Sequence, residues 1–214
     1  MSVQKLINLK NKIKLKSEVY KSIKIIAVSK TFGIDKIKPL IDYGHLDYGE
    51  NKVQEAIDKW TDIKTKNPNI KLHLIGGLQT NKVKFAVKLF DFIHSVDSEK
   101  LAKKIADEEI KNLKKLKIFI QVNIGNEKQK SGIEIDSVEN FYKYCKNLNL
   151  DVIGLMCIPP INQDPTEYFK KLNLLNKKLK LPELSMGMSA DYLNAIDNQA
   201  TYVRVGSEIF GNRS

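Results

Sequence analysis

Cysteine, arginine and long apolar runs are all scarce in this chain of 214 residues. Its two cysteines, Cys145 and Cys157, make neither a disulfide framework nor a zinc signature. Cys157 lies inside an apolar run and reads as a small core residue. The longest such run, 152–161, is too short to cross a bilayer and carries Pro159 and Pro160. Residues 1–20 are studded with lysine and hold no apolar signal-peptide core. His45, His73 and His94 lack metal-ligand spacing and read as packed or hydrogen-bonded residues. These scarcities argue against a secreted, membrane or metal-dependent protein. They lead us to expect a reduced, cytoplasmic one.

Positive charge is abundant: 36 basic against 25 acidic residues leave a formal +11. The lysines are nevertheless scattered along the whole chain. Aromatics are not interleaved with them as a base-stacking platform requires, so no nucleic-acid partner is expected. Of the 36 basic residues only Arg204 and Arg213 are arginines. An arginine inside a strand pattern therefore marks a place where a guanidinium is specifically required. Length and a hydrophobic content of 42% suit one domain, 1–214, with a large core.

The patterning alternates between buried strands and helices. Residues 1–22 have loose helical spacing (Leu6, Leu9, Ile13, Tyr20) and are expected to pack on the outside of the domain. Strands are expected at 25–29, 45–48, 71–75, 92–96, 117–124, 152–157, 184–186 and 202–205. Helical periodicity lies between them, with Asp97 or Ser98 capping the helix before strand 5 and Asp136 the helix before strand 6. Alternation without a linker means a parallel sheet, and eight units in this length mean a closed (β/α)8 TIM barrel. An open doubly wound sheet is the less favoured alternative, because no G-x-G-x-x-G follows strand 1.

The chemistry of such a barrel sits at the C-terminal ends of its strands. Strand 1 runs into Lys30. Desolvation at the exit of a buried strand pushes an ammonium toward neutrality, and a neutral amine adds to aldehydes. Taken alone, a lysine there is better read as simply snorkelling from the strand end into water. Asn51 follows strand 2, and Gly76, Gly77, Gln79 and Asn81 follow strand 3. Asn123 and Met156 belong to strands 5 and 6. Gly187, Met188 and Ser189 come with strand 7. Arg204 lies within strand 8, and Gly206 and Ser207 follow it. Loops after strands 7 and 8 commonly hold a phosphate. Gly206 lets the backbone approach, the N–H groups of Ser207 and Glu208 can face an anion, and Ser189 can add a hydroxyl. Glycine and serine are also ordinary turn residues. A Schiff-base lysine and a phosphate cradle on one rim together meet the requirements of pyridoxal 5′-phosphate (PLP). Glu50 and Glu208 are candidate acids without an evident pairing, and Tyr43 and Tyr48 fall near strand ends.

A family resemblance is carried by Ala27-Val28-Ser29-Lys30-Thr31, Tyr48-Gly49-Glu50-Asn51, His73-Leu74-Ile75-Gly76 and Leu78-Gln79-Thr80-Asn81-Lys82. It continues in Lys130-Ser131-Gly132, Gly154-Leu155-Met156, Leu184 to Ser189, Val203-Arg204-Val205-Gly206-Ser207 and Ile209-Phe210-Gly211. In these stretches the chain resembles the YggS/PROSC family of pyridoxal phosphate homeostasis proteins. The resemblance implies a barrel like the alanine racemase N-terminal domain, with PLP held by Lys30 as an internal aldimine. It further implies Arg204 facing the pyridine nitrogen, Ser189, Gly206 and Ser207 holding the phosphate, and Asn51 and Met188 lining the cofactor. The family usually has proline where this chain has Gly77, which alters the expected shape of that loop.

A guanidinium beside the ring nitrogen disfavours its protonation and weakens the cofactor as an electron sink, which argues against transamination. An arginine there can also serve as an ion pair closing the barrel. The sequence ends soon after strand 8, without the second domain from which racemase-like enzymes draw another base and a dimer interface. The expectation is a monomeric carrier or buffer of intracellular PLP, without substantial turnover, that meets apo PLP-dependent enzymes. A PLP-dependent amino-acid racemase-like enzyme is the alternative, and a cofactor-free Schiff-base lyase acting on a phosphorylated sugar a third reading.

Overall fold

The computed structural model describes residues 2–16, 22–127 and 129–211. Its eight strands are β1 (Lys24–Val28), β2 (Asp47–Glu50), β3 (Lys71–Leu74), β4 (Phe92–Val96), β5 (Lys117–Val122), β6 (Asp151–Cys157), β7 (Glu183–Met188) and β8 (Tyr202–Val205). They pair in sequence order, all parallel, and β8 returns to β1 to close the barrel. The expected (β/α)8 fold is therefore what forms.

The helices alternate with the strands. They are α1 (Ser2–Lys16), α2 (Ile34–Asp42), α3 (Val53–Lys66), α4 (Val83–Leu89), α5 (Glu99–Asn112), α6 (Val138–Asn147), α7 (Thr166–Lys178), α8 (Tyr192–Asp197) and α9 (Ser207–Phe210). The extra N-terminal helix α1 buries Leu6, Leu9 and Ile13, the stripe that helical spacing dictates, against α9, α2 and α8. The remainder of the expected segment, Tyr20 included, lies outside the described residues.

Several boundaries move for local reasons. Strand 2 starts at Asp47 instead of residue 45, because His45 turns back so that its Nε2 donates to the Asp47 carbonyl oxygen at 2.9 Å. β5 ends at Val122, where Asn123 closes a turn through its amide group with both backbone groups of Glu127. β7 runs on to Met188, past a register shift that pairs Met188 with Arg204. Ser98 caps α5 by accepting from the Leu101 N–H. Asp136 does not cap α6; it sits in a 3₁₀ turn, Ile135–Ser137, and Ser137 takes the cap position.

The core has two shells. Between strands and helices lie Trp60, Phe90, Phe169 and the aliphatic residues. Inside the barrel Ile26, Phe92, Phe119, Met156 and Tyr202 pack around the fully buried His73 and His94. Cys145 and Cys157 are both buried, and burial pushes each thiol up to about 12, which suits core residues. Gly154 is required by a close approach: a Cβ there would lie 2.0 Å from the Glu183 carbonyl oxygen on β7. Gly154→Ala is expected to cost about 1–3 kcal/mol of stability by forcing β6 and β7 apart, read as a lowered urea midpoint. An unchanged midpoint would contradict that packing.

His45 gives the fold a pH dependence. Burial lowers its pKa from 6.5 to about 4, against the opposing pull of the Asp47 carboxylate and with a smaller push from Lys10. Its folded pKa lies below its unfolded one, so the unfolded chain binds more protons in between. The contribution is fully present above pH 6.5 and is lost as pH falls toward 4, about 3 kcal/mol from this residue alone. His45→Gln is expected to flatten stability measured by denaturation across that window, and an identical slope in the variant would contradict it.

Candidate functional site

The pairing of β1 with β8 sets Ile26 beside Arg204 and Ala27 beside Val205. Two strands from opposite ends of the sequence thus deliver Lys30 and the Gly206-Ser207 turn to one rim. A cavity of about 520 Å³ opens between them at the C-terminal mouth. Its polar lining is Lys30, Asn51, Ser189, Arg204 and Ser207. Gly206 and Met188 complete the set expected from sequence, and Val28, Phe32, Ile75 and Ile158 form an apolar wall. All seven expected residues therefore share one cavity. Gln79, Asn81, Asn123 and Met156 do not line it.

Gly76 acts from behind: a Cβ there would lie 2.4 Å from the Asn51 carbonyl oxygen, so only glycine lets the β3 loop press on Asn51. A Cβ at Gly77 meets nothing within 4 Å, so the family's departure at that residue falls in open space.

Lys30 is half-buried between two anchored neighbours. Before it, the buried Ser29 donates to Glu50 Oε1 at 2.7 Å. The same oxygen accepts from Trp60 Nε1 at 2.9 Å and from Lys59 Nζ at 3.0 Å. After it, Thr31 takes a left-handed conformation (φ 67°) that costs a β-branched residue energy. Its N–H is held by Glu55 Oε1, which also pairs with Lys59 at 3.0 Å. Lys59 closes the loop by donating to the Ser29 carbonyl oxygen at 2.9 Å. Burial pushes the Glu55 carboxyl up, but the Thr31 N–H and Lys59 outweigh it and leave the group below its ordinary value. The lysine is thus carried by a short segment pinned on both sides by α3.

That network corrects the reading of Glu50 as a candidate acid: it lies wholly buried behind the barrel wall, outside the cavity. Glu208 also stands outside the cavity lining and is bound by Lys12 at 2.6 Å. Tyr48 packs against Trp60 and His45, and Tyr43 is exposed, so neither faces the cavity.

Across the cavity the loops after β7 and β8 are tied together. The Gly206 N–H donates to Ser189 Oγ at 3.2 Å, and the Met188 N–H to Asp191 Oδ1 at 2.6 Å. Arg204 forms the deep wall and is only 4% exposed. Its hydrogen-bond partners are the Ser185 hydroxyl at 2.7 Å and the Cys157 carbonyl oxygen at 2.9 Å, both uncharged. Among the described residues it makes no ion pair, the other reading of this residue. Burial lowers its pKa, partly offset by Cys157 and Asp191. Behind Ser185 stand His94 and His73, buried and hydrogen-bonded as expected from sequence. Ser185 and Asp47, which complete that polar line, were not singled out. The available signal was a pair of histidines at inward positions of adjacent apolar strands.

The protein is thus a closed (β/α)8 barrel that carries a lysine and a glycine-serine turn on one rim. Residues 5–214 match the alanine racemase N-terminal domain family. A pyridoxal phosphate homeostasis protein of Aquifex aeolicus is 39% identical over 200 residues, covering 89% of this chain and 87% of its own length. PipY of Synechococcus elongatus, solved with PLP bound, is 31% identical with a TM-score of 0.88, covering 99% and 100% of the two chains. An alanine racemase of Clostridium difficile, at 18% identity and a TM-score of 0.73, shares the fold over 98% of this chain and 56% of its own. The chain belongs to the pyridoxal phosphate homeostasis family of alanine racemase N-terminal-like barrels.

The Lys59–Glu50 pair is almost dry, with side chains 10% and 0% exposed. Lys59→Met is expected to cost about 3–5 kcal/mol because it strands the Glu50 carboxylate. Adding Glu50→Gln should recover much of the loss in denaturant titrations. A single-variant loss under about 1 kcal/mol would show that the pair is not the anchor described.

Proposed function

We propose that this chain binds PLP in the C-terminal cavity and serves its intracellular homeostasis, as a carrier or buffer, with little catalytic turnover. The observation that carries the reading is the single cavity holding Lys30, Arg204 and the Ser189–Gly206–Ser207 loops. The residues fit the group. The half-buried Lys30 would hold the group through its Nζ, an amine of the kind that condenses with an aldehyde. Arg204, always a donor, can face the pyridine nitrogen and keep it unprotonated. Ser189 and Ser207 offer hydroxyls to a phosphate where Gly206 lets the backbone come close. Asn51 and Met188, in the same lining, would border the ring. When bound, PLP supplies an electrophilic carbonyl and an electron-accepting ring.

Among the described lining residues, Lys30 and Arg204 are the ionisable side chains. Racemisation needs a second proton-transfer group on the face opposite the lysine. This lining supports holding the cofactor over turning it over. The reading extends to a cytoplasmic monomer that passes PLP to apo-enzymes. Among the described residues no helix is long and apolar enough to cross a membrane.

The protein mixed with PLP is expected to show a visible absorbance band that Lys30→Ala lacks. With alanine in D2O, exchange of the Cα hydrogen should stay at the Lys30→Ala background. A wild type without the band overturns the cofactor reading. Exchange at about 1 s⁻¹ or faster, the range of ordinary enzymes, overturns the carrier reading and restores the racemase.

A further inference from the structure

A line of polar side chains runs through the otherwise apolar barrel. Asp47 Oδ1 lies 3.0 Å from His73 Nε2. His73 Nδ1 lies 3.0 Å from His94 Nε2, and His94 Nδ1 lies 2.8 Å from Ser185 Oγ. Ser185 Oγ accepts from Arg204 at 2.7 Å. The chain starts at Asp47, which lines a second cavity of about 320 Å³ between the N-terminal mouth and α1, and ends at the wall of the C-terminal cavity. His73 stacks on Phe92 (centroids 4.2 Å, 17°) and His94 on Phe119 (4.3 Å, 19°), so packing holds both buried rings in orientation.

Its ends fix the direction of every bond. Burial lowers the pKa of His73, against the pull of Asp47, and lowers that of His94 further, with His73 and Arg204 adding to the effect. Both rings are neutral at pH 7. Asp47 stays ionised: burial pushes it up, but His73 outweighs that and leaves it below its ordinary value. A carboxylate only accepts, so His73 carries its proton on Nε2 and accepts on Nδ1. His94 must then donate from Nε2 and accept on Nδ1, which takes the Ser185 proton. The Ser185 oxygen is left to accept from Arg204, which can only donate.

We propose that Asp47, His73, His94 and Ser185 form a one-way hydrogen-bond relay along the barrel that orients Arg204 and balances its charge from the opposite face. They are positioning residues of the cofactor cavity. The relay has no vacant proton position, so it hands no proton to a group facing Arg204. A buried guanidinium with uncharged direct partners needs counter-charge; Asp191 acts on it through space from the cavity side, and Asp47 adds to this through polarised bonds from the opposite face. The effect on PLP rests on the proposed function above; the proton positions do not.

Two measurements separate them. In the ligand-free protein labelled with ¹⁵N-histidine and ¹⁵N-arginine, NMR at pH 7 should find His73 and His94 neutral with the proton on Nε2. Either ring protonated on Nδ1, alone or as well, overturns the relay. In Asp47→Ala the Arg204 side-chain resonances should shift, and PLP should bind about tenfold more weakly, the effect of ~1.4 kcal/mol. Asp151→Asn, an exposed carboxylate on the same barrel face, should change neither. Unmoved Arg204 resonances in Asp47→Ala overturn the proposal even if PLP binds. If the wild type binds no PLP, the functional reading fails while the histidine and Arg204 resonances still decide the relay.

Discussion

The pairing of β8 with β1 is the interaction on which the remainder depends. It closes the barrel and removes both sheet edges. It also sets the register that brings Lys30, near the start of the sequence, opposite Gly206 and Ser207, near its end. Gly206 belongs to that contact: a Cβ there would press on Val28 at 3.3 Å. Neither strand alone contains a site. The lysine arrives on one and the anion loop on the other, and ring closure joins them.

Much of this was legible in the sequence, for identifiable reasons. Four apolar residues running into a lysine read as a buried strand with a functional exit, because parallel strands are covered on both faces. The scarcity of arginine drew attention to Arg204, and its place in the cavity wall follows from inward-outward alternation along β8. Glu50 was harder to place. Strand alternation points it outward with Tyr48, but a strand placed at 45–48 left Glu50 in a closing turn where direction is undefined. The partners of Ser29 and Thr31 were not legible at all. They come from α3, and the contact of that helix with the strand exit is a tertiary fact. Asp47 and Ser185 escaped notice because each looks ordinary in its own strand. Only the closed barrel aligns them.

Two buried polar networks each serve a different side of the cavity. Behind Lys30, the Glu50–Lys59–Glu55 group spends its charges on backbone atoms of residues 29 and 31. Behind Arg204, a line of neutral rings and a hydroxyl spans the barrel. Most barrel interiors fill the same volume with branched aliphatics. Buried polar groups are costly unless matched, and matched groups specify one arrangement; Glu50 matches its Oε1 three times and leaves its buried Oε2 without a partner among the described residues. The lysine and the arginine thus reach the cavity with their backbones and side chains already oriented, which lowers the cost of ordering them around a small anionic ligand.

The account turns on whether one lysine among 34 is the attachment point. Borohydride reduction of the PLP-treated protein, followed by peptide mass mapping, reads this directly. The account predicts a pyridoxyl group confined to Lys30 at substoichiometric PLP. A label spread over surface lysines, or concentrated on another residue, would contradict it.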